Sequence, residues 1–291
     1  MKAGIIALAA VVVPGLMAFT PAPVVAQDEA ATFDVREFTC PLGGKSFTQE
    51  VGYFPFPLLQ MPDGSWLGDT EIGVQIPVCP DNGLVILPDQ APAEDEDADG
   101  SARMRYLTYS APELAALPAL IADPEYRALK TDGGYAQAWW IADKLGHPPL
   151  SRFVLLQRST WATRDPALRK KLVARFADHA PALVAQFPQE DMRTYDSQLL
   201  IVNALRELGR FDEALAYLDA CEPDVHVASL PPHQKLVVVL ALAANGRQRE
   251  ANAIMATVPP FAISRQEVGL LQRYVEQSPA EPAAKQKKSD Q

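Results

Sequence analysis

Residues 203–218 read Asn203-Ala-Leu-Arg-Glu-Leu-Gly-Arg-Phe-Asp-Glu-Ala-Leu-Ala-Tyr-Leu218. Ile201, Leu205 and Leu208 fall on one face of a helix that stops at Gly209. Ala214, Leu218 and Cys221 form a second apolar stripe at helical spacing. Glycine allows the tight turn between two antiparallel helices, and alanine lets the second helix lie close on the first. The pattern recurs: Gly209-Arg-Phe-Asp-Glu-Ala214 returns as Gly246-Arg-Gln-Arg-Glu-Ala251. Each copy follows an apolar segment, 199–208 and 236–245. The run 236–244 is apolar all round, so it needs cover on both sides, as in stacked layers. A third, degenerate copy runs through Ala142-Asp-Lys-Leu-Gly146-His-Pro-Pro-Leu-Ser151.

This repeat resembles the tetratricopeptide helix-turn-helix unit, whose period is about 34 residues. The resemblance implies a concave groove built from the first helix of each unit. Carried onto this chain, the groove-facing positions are Asp196, Leu199, Asn203 and Arg206 in the first copy and His233 and Leu240 in the second. Arg206 and Asn203 are then the expected contacts to a peptide backbone or carboxylate.

Helical signals extend from 110 to 277. Ser110 with Glu113, and Ser264 with Glu267, have capping-box spacing. Asp123-Pro124 and Asp165-Pro166 each place an N-cap before a first-turn proline. Leu168, Leu172 and Phe176 mark one buried stripe, and Tyr135, Trp139, Trp140 and Trp161 are expected between helices. The tail 278–291 has nothing to bury and is expected to be disordered.

Residues 27–92 are rich in proline, glycine and aromatics and lack helical periodicity. Extended runs at 33–39, 47–53, 74–78 and 84–87 alternate with turn signals at Gly43-Gly44, Asp63-Gly64 and Asn82-Gly83. The expectation is an α+β chain: a small β-rich N-terminal module, an acidic linker over 93–109, then the helical repeat domain. Within the module Cys40-Pro-Leu-Gly-Gly44 is matched by Cys79-Pro-Asp-Asn-Gly83. The pair resembles the two knuckles of a zinc ribbon, where four ligands hold the metal. The chain is also similar to an uncharacterised bacterial family that joins such knuckles to tetratricopeptide-like helices and carries a segment like Leu155-Leu-Gln-Arg-Ser-Thr-Trp161-Ala-Thr-Arg164. Here Gly43 and Asn82 stand where each knuckle would have its second cysteine. Two thiols are too few for a structural zinc, so the module is expected to be metal-free. Facing knuckles bring their sulfurs together, which implies a Cys40–Cys79 disulfide in an oxidising compartment. Cys221 is expected to be a free, buried, unreactive thiol.

Residues 1–26 read as a secretory signal: Met1-Lys2, an apolar run broken by Pro14-Gly15, then small residues up to a cleavage point after Ala26. The apolar run is short of the ~20 residues a spanning helix needs, and no later segment is apolar enough to span. The expected location is the periplasm, or outside the cell if the source has a single membrane. A formal net charge of −10 gives no electrostatic reason to hold nucleic acid. No nucleophile elbow, HExxH motif, phosphate loop or complete CxxC is present. His147, His179, His226 and His233 read as helix-end or surface groups; Cys221, His226 and His233 lack metal-ligand spacing. Asp95-x-Asp97-x-Asp99-Gly100 has the front half of a calcium loop, but Arg103 and Tyr106 fall where later ligands belong. The expectation is therefore a non-enzymatic interaction protein without cofactor, binding a peptide or protein of the cell envelope. The competing class is a metal- or thiol-dependent envelope enzyme.

Overall fold

The apolar stripes of the second half become a run of helices that pack in sequence order. In the computed structural model the described residues are 33–52, 59–60, 62–67, 76–89, 105–161, 163, 165–188, 192–221, the six positions 227, 230, 235, 238, 239 and 242, and 248–258. The signal segment, the centre of the acidic stretch and the tail lie outside them, as do His226, His233, Leu240 and the Ser264–Glu267 pair. Everything described belongs to one unit, Thr32–Gln291.

Helices α1 (Ala111–Ala122) and α2 (Pro124–Ala128) lead through a 3-10 turn, Leu129–Asp132, into α3 (Gly134–Lys144). α4 (Pro149–Ser159), α5 (Pro166–Val184), α6 (Met192–Glu207) and α7 (Phe211–Ala220) follow, and α8 covers Gln248–Met255. From α3 to α7 each helix packs chiefly on its sequence neighbours within that run. Polar signals in the sequence set the helix starts. Asp123 Oδ1 accepts from the Glu125 N–H at 2.7 Å, and Asp165 Oδ1 from that of Leu168 at 2.7 Å. At Ser110 the hydroxyl and the backbone N–H both donate to Glu113 Oε2, at 2.6 and 2.7 Å. Gly146 and Gly209 end α3 and α6 at φ 70° and 75°, a region where a β-carbon is strained.

The expected stripes are the core: Leu172, Phe176, Ile201, Leu205, Ala214 and Leu218 are buried, as are Tyr135, Trp139 and Trp140. Lys235, Val238 and Leu242 are helical and buried, while Val239 beside them is only partly so.

In the N-terminal part, β1 (Phe33–Thr39) and β2 (Ser46–Gly52) form an antiparallel hairpin from Phe33↔Gly52 to Thr39↔Ser46. β3 (Leu59–Gln60) and β4 (Trp66–Leu67) form a second, minimal one around Asp63-Gly64. Of the runs expected as strands at 74–78 and 84–87, residues 74 and 75 lie outside the described residues, and the described parts meet at a Val78↔Val85 bridge. Leu84, Val85, Ile86 and Leu87 are nevertheless buried and share one apolar cluster with the helices. Their backbone is anchored from the helical side: the Val85 N–H donates to the Tyr126 hydroxyl at 3.1 Å, which donates to the Gly83 carbonyl at 2.8 Å. The module and the helices are thus packed as one body. The described residues on either side of the acidic stretch are hydrogen-bonded to each other: the Asp89 N–H donates to the Arg105 carbonyl and the Leu107 N–H to the Leu87 carbonyl, each at 2.8 Å. Residues 90–104 between them lie outside the described residues.

No helix of the described residues is long and apolar enough to cross a membrane.

Candidate functional site

Two arrangements carry chemistry. The first is the pair of cysteine knuckles. In each, a glycine N–H returns to the cysteine carbonyl: Gly44 to Cys40 at 3.2 Å and Gly83 to Cys79 at 2.9 Å. Gly43, Gly44 and Gly83 have φ of 89°, 65° and 75°, which is why the turns need glycine. Cys40 and Cys79 are joined by a disulfide with Cα atoms 5.6 Å apart, as expected from the facing knuckles. Asn82, standing where a knuckle cysteine would be, ties the knuckles with its side chain. Its Nδ2 donates to the Leu42 carbonyl at 3.1 Å and its Oδ1 accepts from the Leu84 N–H at 2.9 Å. Ligand-type atoms of Cys40, Cys79 and Asp81 lie within 4.8 Å of one another. Metal binding needs thiolates, which the disulfide removes. Cys221 is free and buried; burial pushes its thiol up to about 12, and Sγ donates to the Tyr217 carbonyl at 3.0 Å.

The second arrangement centres on the Asp63-Gly64 turn where it meets α4, α5 and α6. The Ser65 N–H and hydroxyl donate to Asp63 Oδ1 at 2.9 and 2.6 Å, closing the turn on itself. The Asp63 carbonyl accepts from Gln157 Nε2 and Trp161 Nε1, each at 3.3 Å. Its Oδ2 meets Arg169 Nη2 at 3.0 Å. Arg169 is also held by the Thr160 carbonyl at 3.0 Å and by Glu207 Oε2 at 3.0 Å. Glu207 Oε1 accepts from Asn203 Nδ2 at 2.9 Å, and Asn203 Oδ1 from Arg206 Nε and Nη2 at 3.2 and 2.8 Å. A polar chain therefore runs from Asp63 through Arg169, Glu207 and Asn203 to Arg206. A small cavity beside it is lined by Asp63, Gln157, Phe176, Asn203 and Glu207 among others.

This network places the residues expected to face a groove. Leu199, Asn203 and Arg206 are 3%, 1% and 4% exposed, and Asp196 is partly buried. Leu199, Asn203 and Arg206 are therefore covered rather than open to solvent. The two polar ones are spent on internal hydrogen bonds that prop Glu207 and, through it, Arg169. His233 and Leu240 lie outside the described residues. The residues that meet Asp63, namely Gln157, Trp161 and Arg169, are not groove positions of the repeat pattern. Two of them belong to the 155–164 segment, and Asp63-Gly64 reads in the sequence only as a turn.

Away from this network, buried Asp132 is held by Lys171 Nζ and Arg175 Nη2, each at 2.7 Å. Desolvation works against its charge, yet the two cations outweigh it and hold the carboxyl below its ordinary range. His147 Nε2 sits 2.9 Å from Glu113 Oε1. His179 lies edge-on to Trp139, 5.0 Å between ring centroids.

No protein-family model matches the chain, and neither curated proteins nor solved structures give a match.

Proposed function

We propose that this is an exported, non-catalytic interaction protein of the cell envelope, a tetratricopeptide-like scaffold that binds a peptide or protein partner on its helical array. The observation that carries this reading is the sequential packing of α3 to α7, with glycine turns at Gly146 and Gly209. Arrays in which each helix meets only its neighbours present long continuous surfaces, and such surfaces serve recognition. The Cys40–Cys79 disulfide supports export, because disulfides persist in oxidising compartments. Given the burial of Asn203 and Arg206, their part in binding is to hold Glu207 and Arg169 in place rather than to touch the partner.

The test is a photo-crosslinking residue at position 196, expressed in the native envelope. A single defined adduct on a mature chain starting near Gln27 is the expected result. A cytoplasmic chain that retains Met1, or one that gives no adduct, would sink the reading.

A further inference from the structure

Among the described residues the β3–β4 hairpin has two residues per strand and pairs with no other strand. A hairpin of that size is marginal in water, so its tip is fixed by what it rests on. Three donors from the helical side converge on Asp63: Gln157 Nε2 and Trp161 Nε1 on its carbonyl, Arg169 Nη2 on its carboxylate. We propose that Gln157, Trp161 and Arg169 form a recognition site for an acidic reverse turn of the Asp-Gly type, filled in cis by residues 62–65 and open to the same kind of turn on a peptide partner once the cis turn leaves. The inference rests on the interaction-protein reading above and names the chemistry of its partner.

Four features of the contact fix that chemistry. The groups being read, one carbonyl and one carboxylate on the same residue, are borne by any aspartate at the head of a turn. Glycine is required next. Gly64 has φ 80°, and a β-carbon there would run into the Gln157 amide and lie 3.1 Å from Leu200 Cδ2. The ligand is preorganised, since Ser65 closes the turn on Asp63 before any helix is met. The site is preorganised too: the Thr160 carbonyl and Glu207 hold the Arg169 guanidinium independently of Asp63. A planar guanidinium with its orientation fixed discriminates a carboxylate from an amide better than a mobile lysine would.

The experiment uses the full mature chain and a fluorescent, backbone-cyclised peptide of residues 59–67. Asp63→Asn and Gly64→Ala variants of the chain weaken the cis occupant by different routes. Each is expected to bind the peptide about tenfold tighter than the unaltered chain, the scale of one charge-assisted hydrogen bond. The same peptide carrying asparagine for its aspartate is expected to bind about tenfold more weakly, and Arg169→Ala added to Asp63→Asn to erase the gain. Should Gly64→Ala fail to fold, Asp63→Asn, which keeps the side-chain shape, carries the comparison. Folded variants that bind no better than the unaltered chain would overturn the proposal, as would equal binding of the two peptides. An envelope adduct at position 196 that forms regardless of saturating peptide would overturn it too, while leaving the broader interaction role standing.

Discussion

Arg169 on α5 and Asp63 in the β3–β4 turn, 106 residues apart in sequence, meet at 3.0 Å, and the same guanidinium nitrogen meets Glu207 on α6 at 3.0 Å. One side chain thereby ties the N-terminal part to two successive helices. The Asp63 and Glu207 side chains are only 10% and 11% exposed. Removing the cation leaves two carboxylates close together with little water. Arg169→Ala should therefore destabilise the fold by about 2 kcal/mol, more than a surface ion pair would yield. A double-mutant cycle with Asp63→Ala, read by urea unfolding, should give a coupling of about 1 kcal/mol. Additive losses would show that the pair does not act as a unit.

The disulfide closes a loop of about 40 residues, for which chain entropy gives roughly 4 kcal/mol before any native-state strain. Cys40→Ser with Cys79→Ser should lower the unfolding free energy by about 2–4 kcal/mol. In the unaltered, denatured and unreduced chain, alkylation should label Cys221 alone. Labelling at all three cysteines would contradict the bridge.

Gly209 offers a cleaner backbone test, because a β-carbon there meets nothing within 4 Å and only φ 75° is at stake. Gly209→Val should cost about 2 kcal/mol, while Gly209→Asn, which tolerates the left-handed region, should cost less than half of that. Equal losses for the two would mean that the turn is not what the glycine supplies.

The helix boundaries and stripes were legible because they are local: Asp123, Asp165 and Gly209 mark ends, and Leu172, Phe176 and Leu218 repeat at the helical period. The disulfide was legible through a motif repeated at Cys40 and Cys79. The Asp63 contacts were not. Nothing about Asp63, Trp161 or Arg169 taken singly signals that they meet, since their pairing depends on how a two-residue hairpin lands on three helices. Asn203 and Arg206 were assigned to a groove face from the repeat pattern alone. Their burial was hidden because register gives a face and not what covers it.

Asp132 supplies a pH prediction. Its carboxyl is held below the ordinary value by Lys171 and Arg175 against the opposing effect of desolvation. A carboxyl lowered on folding stabilises the fold above its unfolded value, about 3.9, and that contribution fades as pH falls through the lower folded value. Between pH 5 and pH 2 the unaltered chain should thus lose stability more steeply than Asp132→Asn, which has no proton to gain there. Parallel profiles in acid unfolding would remove Asp132 from the account.

Tyr126 ties the knuckle module to the helices by two hydrogen bonds. Its hydroxyl accepts from the Val85 N–H at 3.1 Å and donates to the Gly83 carbonyl at 2.8 Å. Val85 is fully buried, so Tyr126→Phe leaves its N–H without that acceptor and away from water. Burial already pushes the Tyr126 hydroxyl up to about 12, so it stays protonated, and able to donate, throughout the neutral range. The loss of two hydrogen bonds with one orphaned donor should amount to about 2 kcal/mol. Because Leu84 to Leu87 sit in the same apolar cluster as α3 and α5, the weakening should lower one shared transition rather than split it in two. Near-ultraviolet and far-ultraviolet melts should keep a common midpoint in the variant. A variant as stable as the unaltered chain would show that this tyrosine does not join the two parts, and a module that melts ahead of the helices would show that the shared apolar cluster does not hold them together without it.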